Sequence, residues 1–228
     1  MSILLRSDSK LADAIIAEPT VITVLNRFGI KLGVGDDTIA DACAARQLDV
    51  DFFTTILNTY INEEYFPERV LAGFSPSVIV DYLGKTNAYY ERFQLPNIER
   101  HFSLLISKSD SVNNNLVLMR QFFFEVKNEL LRRIADDRQR WFPLLLEQEK
   151  TGAVPAGAAL EQQAQENDEI EDKIDDLIHM MVIHLSGDYD MNLGVAVLYA
   201  IFALSKDIKM NNRVRNRLLK PLSRQLTQ

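Results

Sequence analysis

ELLRRIADDRQRWFP, Glu129 to Pro143, decides how the chain is read. Taken as part of a helix, it continues an apolar stripe from Val126 through Leu130 to Trp141, and the three-and-four spacing of that stripe puts Arg133 and Asp137 on the same face. Such a helix directs an arginine and an aspartate into its own core. A buried charge without a partner is strongly unfavourable, so this stretch demands partners from other elements.

The same pattern recurs outward from that stretch. Helix one, from about Ser77 to Ser107, reads Ile79, Leu83, Asn87, Tyr90, and it contains Pro96, which is expected to kink or break it. Helix two runs from about Asn114 to Glu147, with Pro143 disturbing its last turns. Helix three, ending near Leu185, reads Asn167, Ile170, Ile174, Leu177, Met181. Helix four, from about Met191 to Leu222, reads Val197, Ile201, Leu204, Ile208, Asn211, Arg215, Leu218, Leu222. Each helix thus places one or two polar residues on its inward face. The connector Thr151–Ala159 and the turn Ser186–Asp190 join these segments as in an antiparallel four-helix bundle.

Residues 1–68 read as a small helical domain. Its segments are Lys10 to Ala17, Thr20 to Phe28, a turn through Gly29, Gly33 and Gly35, Ile39 to Ala45 capped by Asp37 or Thr38, and Phe52 to Glu63 capped by Asp49 or Asp51. Phe66 to Ser77, with Pro67, Gly73 and Pro76, is the linker region; we place the linker at 69–76 and the bundle at 77–228. Val, Ile and Thr rarely alternate with polar residues, so the expected class is all-α.

Composition bounds the chemistry. The chain has 228 residues, 47% hydrophobic and 25% charged, with net charge −7, which argues against nucleic acid because phosphate binding needs a concentrated basic surface. Charge is uneven: Glu161 to Asp176 holds eight acids against Lys173, and Lys206 to Arg224 holds seven bases against Asp207. Two such helices can lie side by side or simply form solvated faces. Cys43 is the only cysteine, so neither an intramolecular disulfide nor a thiolate cluster is possible within one chain. MSILLRSDSK is too short in apolar residues for a signal core and no run approaches a membrane span, which makes the cytoplasm the default location.

Helix bundles build metal sites from inward carboxylates and histidines. Here arginine cannot ligate and asparagine amides are weak ligands for transition metals. Two readings follow: a satisfied polar network in which Asp137 pairs with Arg133 or Arg215, or a metal site. His101 lies beyond the level of the inward polar residues, and His179 and His184 are five apart, off a common helix face. Cys43 reads as a small buried residue, and no Gly-rich phosphate loop or catalytic triad stands out.

These motifs in this order resemble the repair-of-iron-centres family, in which a small N-terminal helical domain precedes a hemerythrin-like di-iron bundle. Glu129, Leu130, Arg133, Asp137, Arg138, Phe142 and Pro143 occupy the family's second-helix motif. Arg133 stands at its histidine ligand and Asp137 at its bridging carboxylate. NNRVR (211–215) is similar to the last-helix motif HNR.E, so Asn211 replaces histidine and Arg215 replaces glutamate. KTNAYYERFQLPNI (85–98) and NDEIEDKIDDL (167–177) resemble the first- and third-helix motifs, with Asn87 and Asn167 at histidine positions. VLNRFGIKLGVGDDTIADAC (24–43) resembles the small-domain motif, with Gly33 and Val34 in place of a cysteine pair.

The resemblance implies an all-α, hemerythrin-like bundle whose ligand positions Asn87, Arg133, Asp137, Asn167, Asn211 and Arg215 have lost all ligand-competent groups except Asp137. No catalytic residue, cofactor or metal is then expected, and Asp137, Arg133 and Arg215 form an internal ion pair. The implied role is a non-catalytic binding or regulatory protein in a stress or nitric-oxide response, with a protein partner or self-association and no nucleic acid or membrane. The alternatives are a functional di-iron repair protein of iron-sulfur clusters and an oligomeric scaffold.

Overall fold

The computed structural model describes residues 4–62, 64–65, 67, 70, 73–109, 114–152 and 169–216. Asn167, Leu218, Leu222, much of the Thr151–Ala159 connector and part of the Phe66–Ser77 linker lie outside these residues. The described chain is all-helical, and its only β feature among those residues is an isolated antiparallel bridge between Lys10 and Thr38.

Four short helices come first: α1 Leu11–Ala17, α2 Val21–Arg27, α3 Ile39–Ala44 and α4 Val50–Ile61. Their starts are set locally. Thr38 and Asp41 form a reciprocal capping box on α3, and Asp49 Oδ1 accepts the Phe52 N–H at 2.8 Å on α4. Helices this short gain their stability from packing, and Leu11, Val24, Leu25, Ile39, Phe53 and Ile56 are all buried together.

The long segments follow. α5 (Pro76–Tyr89) continues through a π turn, Tyr90–Gln94, into α6 (Leu95–Ser107); α7 (Asn114–Asp136) continues through a second π turn, Asp137–Trp141, into α8 (Phe142–Thr151). Both π turns end two residues before a proline, Pro96 and Pro143. Neither proline breaks its helix, but each helix is disturbed as expected for Pro143, by a π turn in the residues just before the proline. A proline lacks the N–H of the next α-turn bond and its ring crowds the carbonyl four residues back, and one extra residue in the preceding turn relieves that clash while helical residues continue beyond it. Among the described residues α9 (Ile170–His184) and α10 (Met191–Val214) come last, and Asp190 Oδ1 caps α10 by accepting the N–H groups of Asn192 and Leu193.

α6 packs on α7, α7 on α9, α9 on α10 and α10 on α6, which closes a ring of four. Neighbours run antiparallel: Glu99 pairs with Lys127 and Glu91 with Arg138, and around the ring Glu129 meets Lys173 and Asp175 meets Lys209. The acidic and basic segments therefore meet through Asp175 and Lys209 at 2.7 Å. The ring interior is apolar, centred on Phe102, Phe123, Leu130, Ile174, Ile201 and Ile208. A second apolar cluster is continuous from α1–α4 onto α5, α8 and the end of α10, through Tyr82, Trp141, Leu145, Met210 and Val214. The N-terminal helices thus share a core with the long ones. α10, at 24 residues, is long and apolar enough by length and composition to cross a membrane, a feature missed in the sequence; 39% of its apolar window is buried in the protein.

Candidate functional site

The second π turn begins with Asp137, whose side chain is directed inward and only 2% exposed. Its carboxylate is held from two sides. Arg215, at the end of α10, donates Nη1 to Oδ2 at 2.5 Å and Nη2 to Oδ1 at 2.8 Å, a bidentate fork. Asn87 Nδ2, from α5, donates to the same Oδ2 at 3.0 Å. The Arg215 guanidinium also lies 4.6 Å from the centroid of the Trp141 ring, so the π turn supplies both its counter-charge and an aromatic face.

Arg133, expected in the same ion pair, turns elsewhere. Its Nη1 donates to Asn212 Oδ1 at 2.8 Å, and Asn212 Nδ2 in turn donates to Glu171 Oε1 at 2.6 Å, tying α7, α10 and α9 together. One turn of α7 before Asp137 reaches toward α9 and α10, while the wider π turn re-aims Asp137 toward α5 and the end of α10. Asn211 is buried beside this network and donates Nδ2 to Tyr90 Oη at 2.5 Å and to the Asp207 carbonyl at 2.8 Å. Asn87, Asp137 and Arg215 are therefore brought together, Arg133 and Asn211 adjoin them through other partners, and Asn167 lies outside the described residues.

A second buried charge pair adjoins the first. Arg27, the last residue of α2, has a fully buried side chain and donates Nη2 to Asp207 Oδ2 and Nη1 to Tyr82 Oη at 3.1 Å. Its guanidinium lies 5.4 to 5.9 Å from the ring centroids of Tyr82, Tyr89 and Tyr90, an aromatic cage around a cation. Burial disfavours the charged guanidinium, but the Asp207 carboxylate and the surrounding hydroxyls outweigh it and raise its pKa above the ordinary value. Burial likewise pushes the Tyr82 and Tyr90 phenols up. Sequence reasoning did not find this pair. A signal existed: Asp207 is the only acid among the bases of Lys206 to Arg224 and lies one helical turn before Asn211 on the inward face.

Among the described residues, the side chains around Asp137 do not fit a di-iron centre. Both Asp137 oxygens accept from Arg215, Asn87 and Asn211 present N–H donors inward, and an arginine is a fixed cation where a metal would need a lone pair. His179 Nδ1 is instead hydrogen-bonded to the Asp175 carbonyl at 2.8 Å, and Cys43 is buried with its thiol pKa pushed up to about 11 by burial and by the nearby Asp49 charge. What the arrangement can do chemically is hold charge rigidly. On the outer side of the first π turn, Tyr89, Arg92, Phe93 and Arg100 border a cleft of about 510 Å³, and Tyr89 is shared between that cleft and the Arg27 cage. The chain matches no protein-family model and no curated protein.

Proposed function

We propose that this chain is a metal-free relative of the hemerythrin-like iron-centre repair proteins, with residues 1–68 as the small domain and 77–228 as the four-helix bundle. On this reading it acts as a binding or regulatory protein in a stress or nitric-oxide response rather than as a repair catalyst. The observation that supports it best is the bidentate Arg215 fork on Asp137, with Asn87 on the same carboxylate. In the family, the metals neutralise the bridging carboxylate; here a guanidinium supplies that positive charge at 2.5 and 2.8 Å.

Metal analysis of the chain, produced in iron-rich medium and purified without oxygen, tests this reading. Iron far below one atom per chain and no oxo-bridge absorption band are the expected result. About two irons per chain, as a di-iron bundle would carry, would overturn it. Its ancestry has a separate test. Restoring histidine at Asn87, Arg133, Asn167 and Asn211 and glutamate at Arg215 frees Asp137 for a metal, and this variant is expected to take up iron that the natural chain does not.

A further inference from the structure

α10 is apolar on almost every side, yet the protein covers it unevenly. From Lys206 onward the N-terminal helices close over it: Lys206 Nζ meets Glu18 at 2.9 Å, Asp207 receives Arg27, and Arg213 donates to the carbonyls of Thr59 and Tyr65 at 3.2 and 3.1 Å. The outer face of its first three turns is open. There Met191, Val195, Tyr199 and Phe202 follow one another at steps of four, four and three, which puts them on one straight stripe, with exposures of 64%, 38%, 71% and 45%. Val182 of α9, 62% exposed, extends the stripe: it lies seven residues past Asp175 on the α10-facing edge, and the antiparallel register set by Asp175 and Lys209 brings it level with Phe202. A helix hydrophobic all round is ordinarily buried all round, and an aligned stripe of Met, Tyr and Phe differs from scattered apolar residues on a surface.

We infer that this face is where two copies of the chain associate, their α10 helices crossing antiparallel about a two-fold axis near Val197. The stripe is self-complementary in that register. Val195 opposes the partner's Tyr199, Met191 opposes the partner's Phe202 in a sulfur–aromatic contact, and Asp188 opposes the partner's Lys206. Asp188 is exposed and has no ion pair among the described residues, while the Lys206 ammonium has three donors, of which Glu18 takes one. A parallel arrangement would instead set Asp188 against the partner's Asp188. The same carboxylate at the end of the stripe disfavours an anionic lipid surface. The apolar stripe is on the order of 500 Å² per copy, so with its charged rim the pair buries about 1,000 Å² or slightly more, the lower limit of a specific interface. The dimer is accordingly weak and concentration-dependent. The inference rests on the shape of α10 and not on the metal-free reading, and iron content does not enter its test.

Sedimentation velocity of the full chain from about 1 to about 200 μM is the experiment, with a reversible monomer–dimer equilibrium in the micromolar range expected. Tyr199→Glu should weaken dimerisation about tenfold or more, whereas Ile16→Glu, at a residue equally exposed on α1, should leave it unchanged. Far-UV circular dichroism of each variant establishes that it is folded. Mixing Val195→Cys with Tyr199→Cys should give a disulfide-linked dimer on mild oxidation, the native Cys43 being buried. A chain that stays monomeric at the highest concentration, a dimer indifferent to Tyr199→Glu, or a monomer that floats with phosphatidylcholine vesicles would overturn the inference.

Discussion

Asp137 shows what a carboxylate in a helical interior requires. Its 2% exposure removes it from water, and only a full counter-charge with good geometry compensates that desolvation; Arg215, its side chain 15% exposed, provides one through two parallel hydrogen bonds. Removing the carboxylate takes the bidentate counter-charge from a mostly buried guanidinium. Asp137→Ala is therefore expected to lower the unfolding free energy by about 3 kcal/mol, read by urea titration. Replacing both members, Asp137→Leu with Arg215→Met, should recover most of that loss, because well-packed apolar residues dispense with the desolvation of both charges. A null effect of Asp137→Ala would mean that the carboxylate is solvated. Cys43 makes a pH-dependent prediction. Its thiol pKa rises from 9.0 to about 11 on folding, so the unfolded chain releases the proton first. The corresponding stability is fully present below pH 9 and is lost as pH rises toward about 11, and a thiol reagent at pH 8 should label Cys43 only at the rate of unfolding. Cys43→Ala should flatten that part of the stability–pH curve.

At the scale of elements, the π turns ahead of Pro96 and Pro143 shape the site. Each adds a residue ahead of a proline, and the second starts at Asp137. An extra residue turns the following helix by about 100°, so α8 keeps its apolar face on the N-terminal helices only while the insertion stays. Gln139 is exposed within that turn. Deleting it would return the turn to α-helical spacing, but Pro143 would then press on the carbonyl four residues back. Loss of about 3 kcal/mol is expected for the deletion alone, and substantially less when it is combined with Pro143→Ala, both measured by thermal melting. Equal losses in the two variants would show that the proline is not the cause of the π turn. The caps of α3, α4 and α10 follow simpler local rules, since Thr38, Asp49 and Asp190 each meet backbone N–H groups two or three residues on.

Over the whole molecule, the N-terminal helices and the long ones are joined by a common apolar cluster and by one buried cation, Arg27, in its tyrosine cage with Asp207. A shared core gives cooperative unfolding. The natural chain is therefore expected to melt in a single calorimetric transition, and Arg27→Ala, which abandons a buried aspartate, should cost about 4 kcal/mol and raise hydrogen exchange in α1–α4 before that in α9. Uniform exchange in the variant would show that Arg27 does not link the two sets of helices. Tyr89 and Tyr90 connect this latch to the neighbouring features: Tyr89 borders the cleft of Arg92 and Arg100, and Tyr90 accepts from Asn211. Two buried ion pairs among the described residues, Arg27 with Asp207 and Arg215 with Asp137, thus occupy adjoining parts of one polar region.

Period and punctuation in the sequence were enough for the helical class, the approximate spans of the long segments, the alternative caps of α3 and α4, and the convergence of Asn87, Asp137 and Arg215 on inward faces. These are short-range properties, fixed by 3.6-residue periodicity and by which side chains can meet the first N–H groups of a helix. Other features needed the tertiary structure. Arg133 follows the same stripe as Asp137, but an inserted residue in the next turn parts their directions, and no spacing rule reveals that insertion. Arg27 reads as an ordinary charged residue at a helix end until α10 and three tyrosines are brought around it. Whether a polar residue on an apolar stripe meets a partner, and which one, depends on elements far apart in the chain, because the energy of a buried charge is set by whatever packing places within about 4 Å of it.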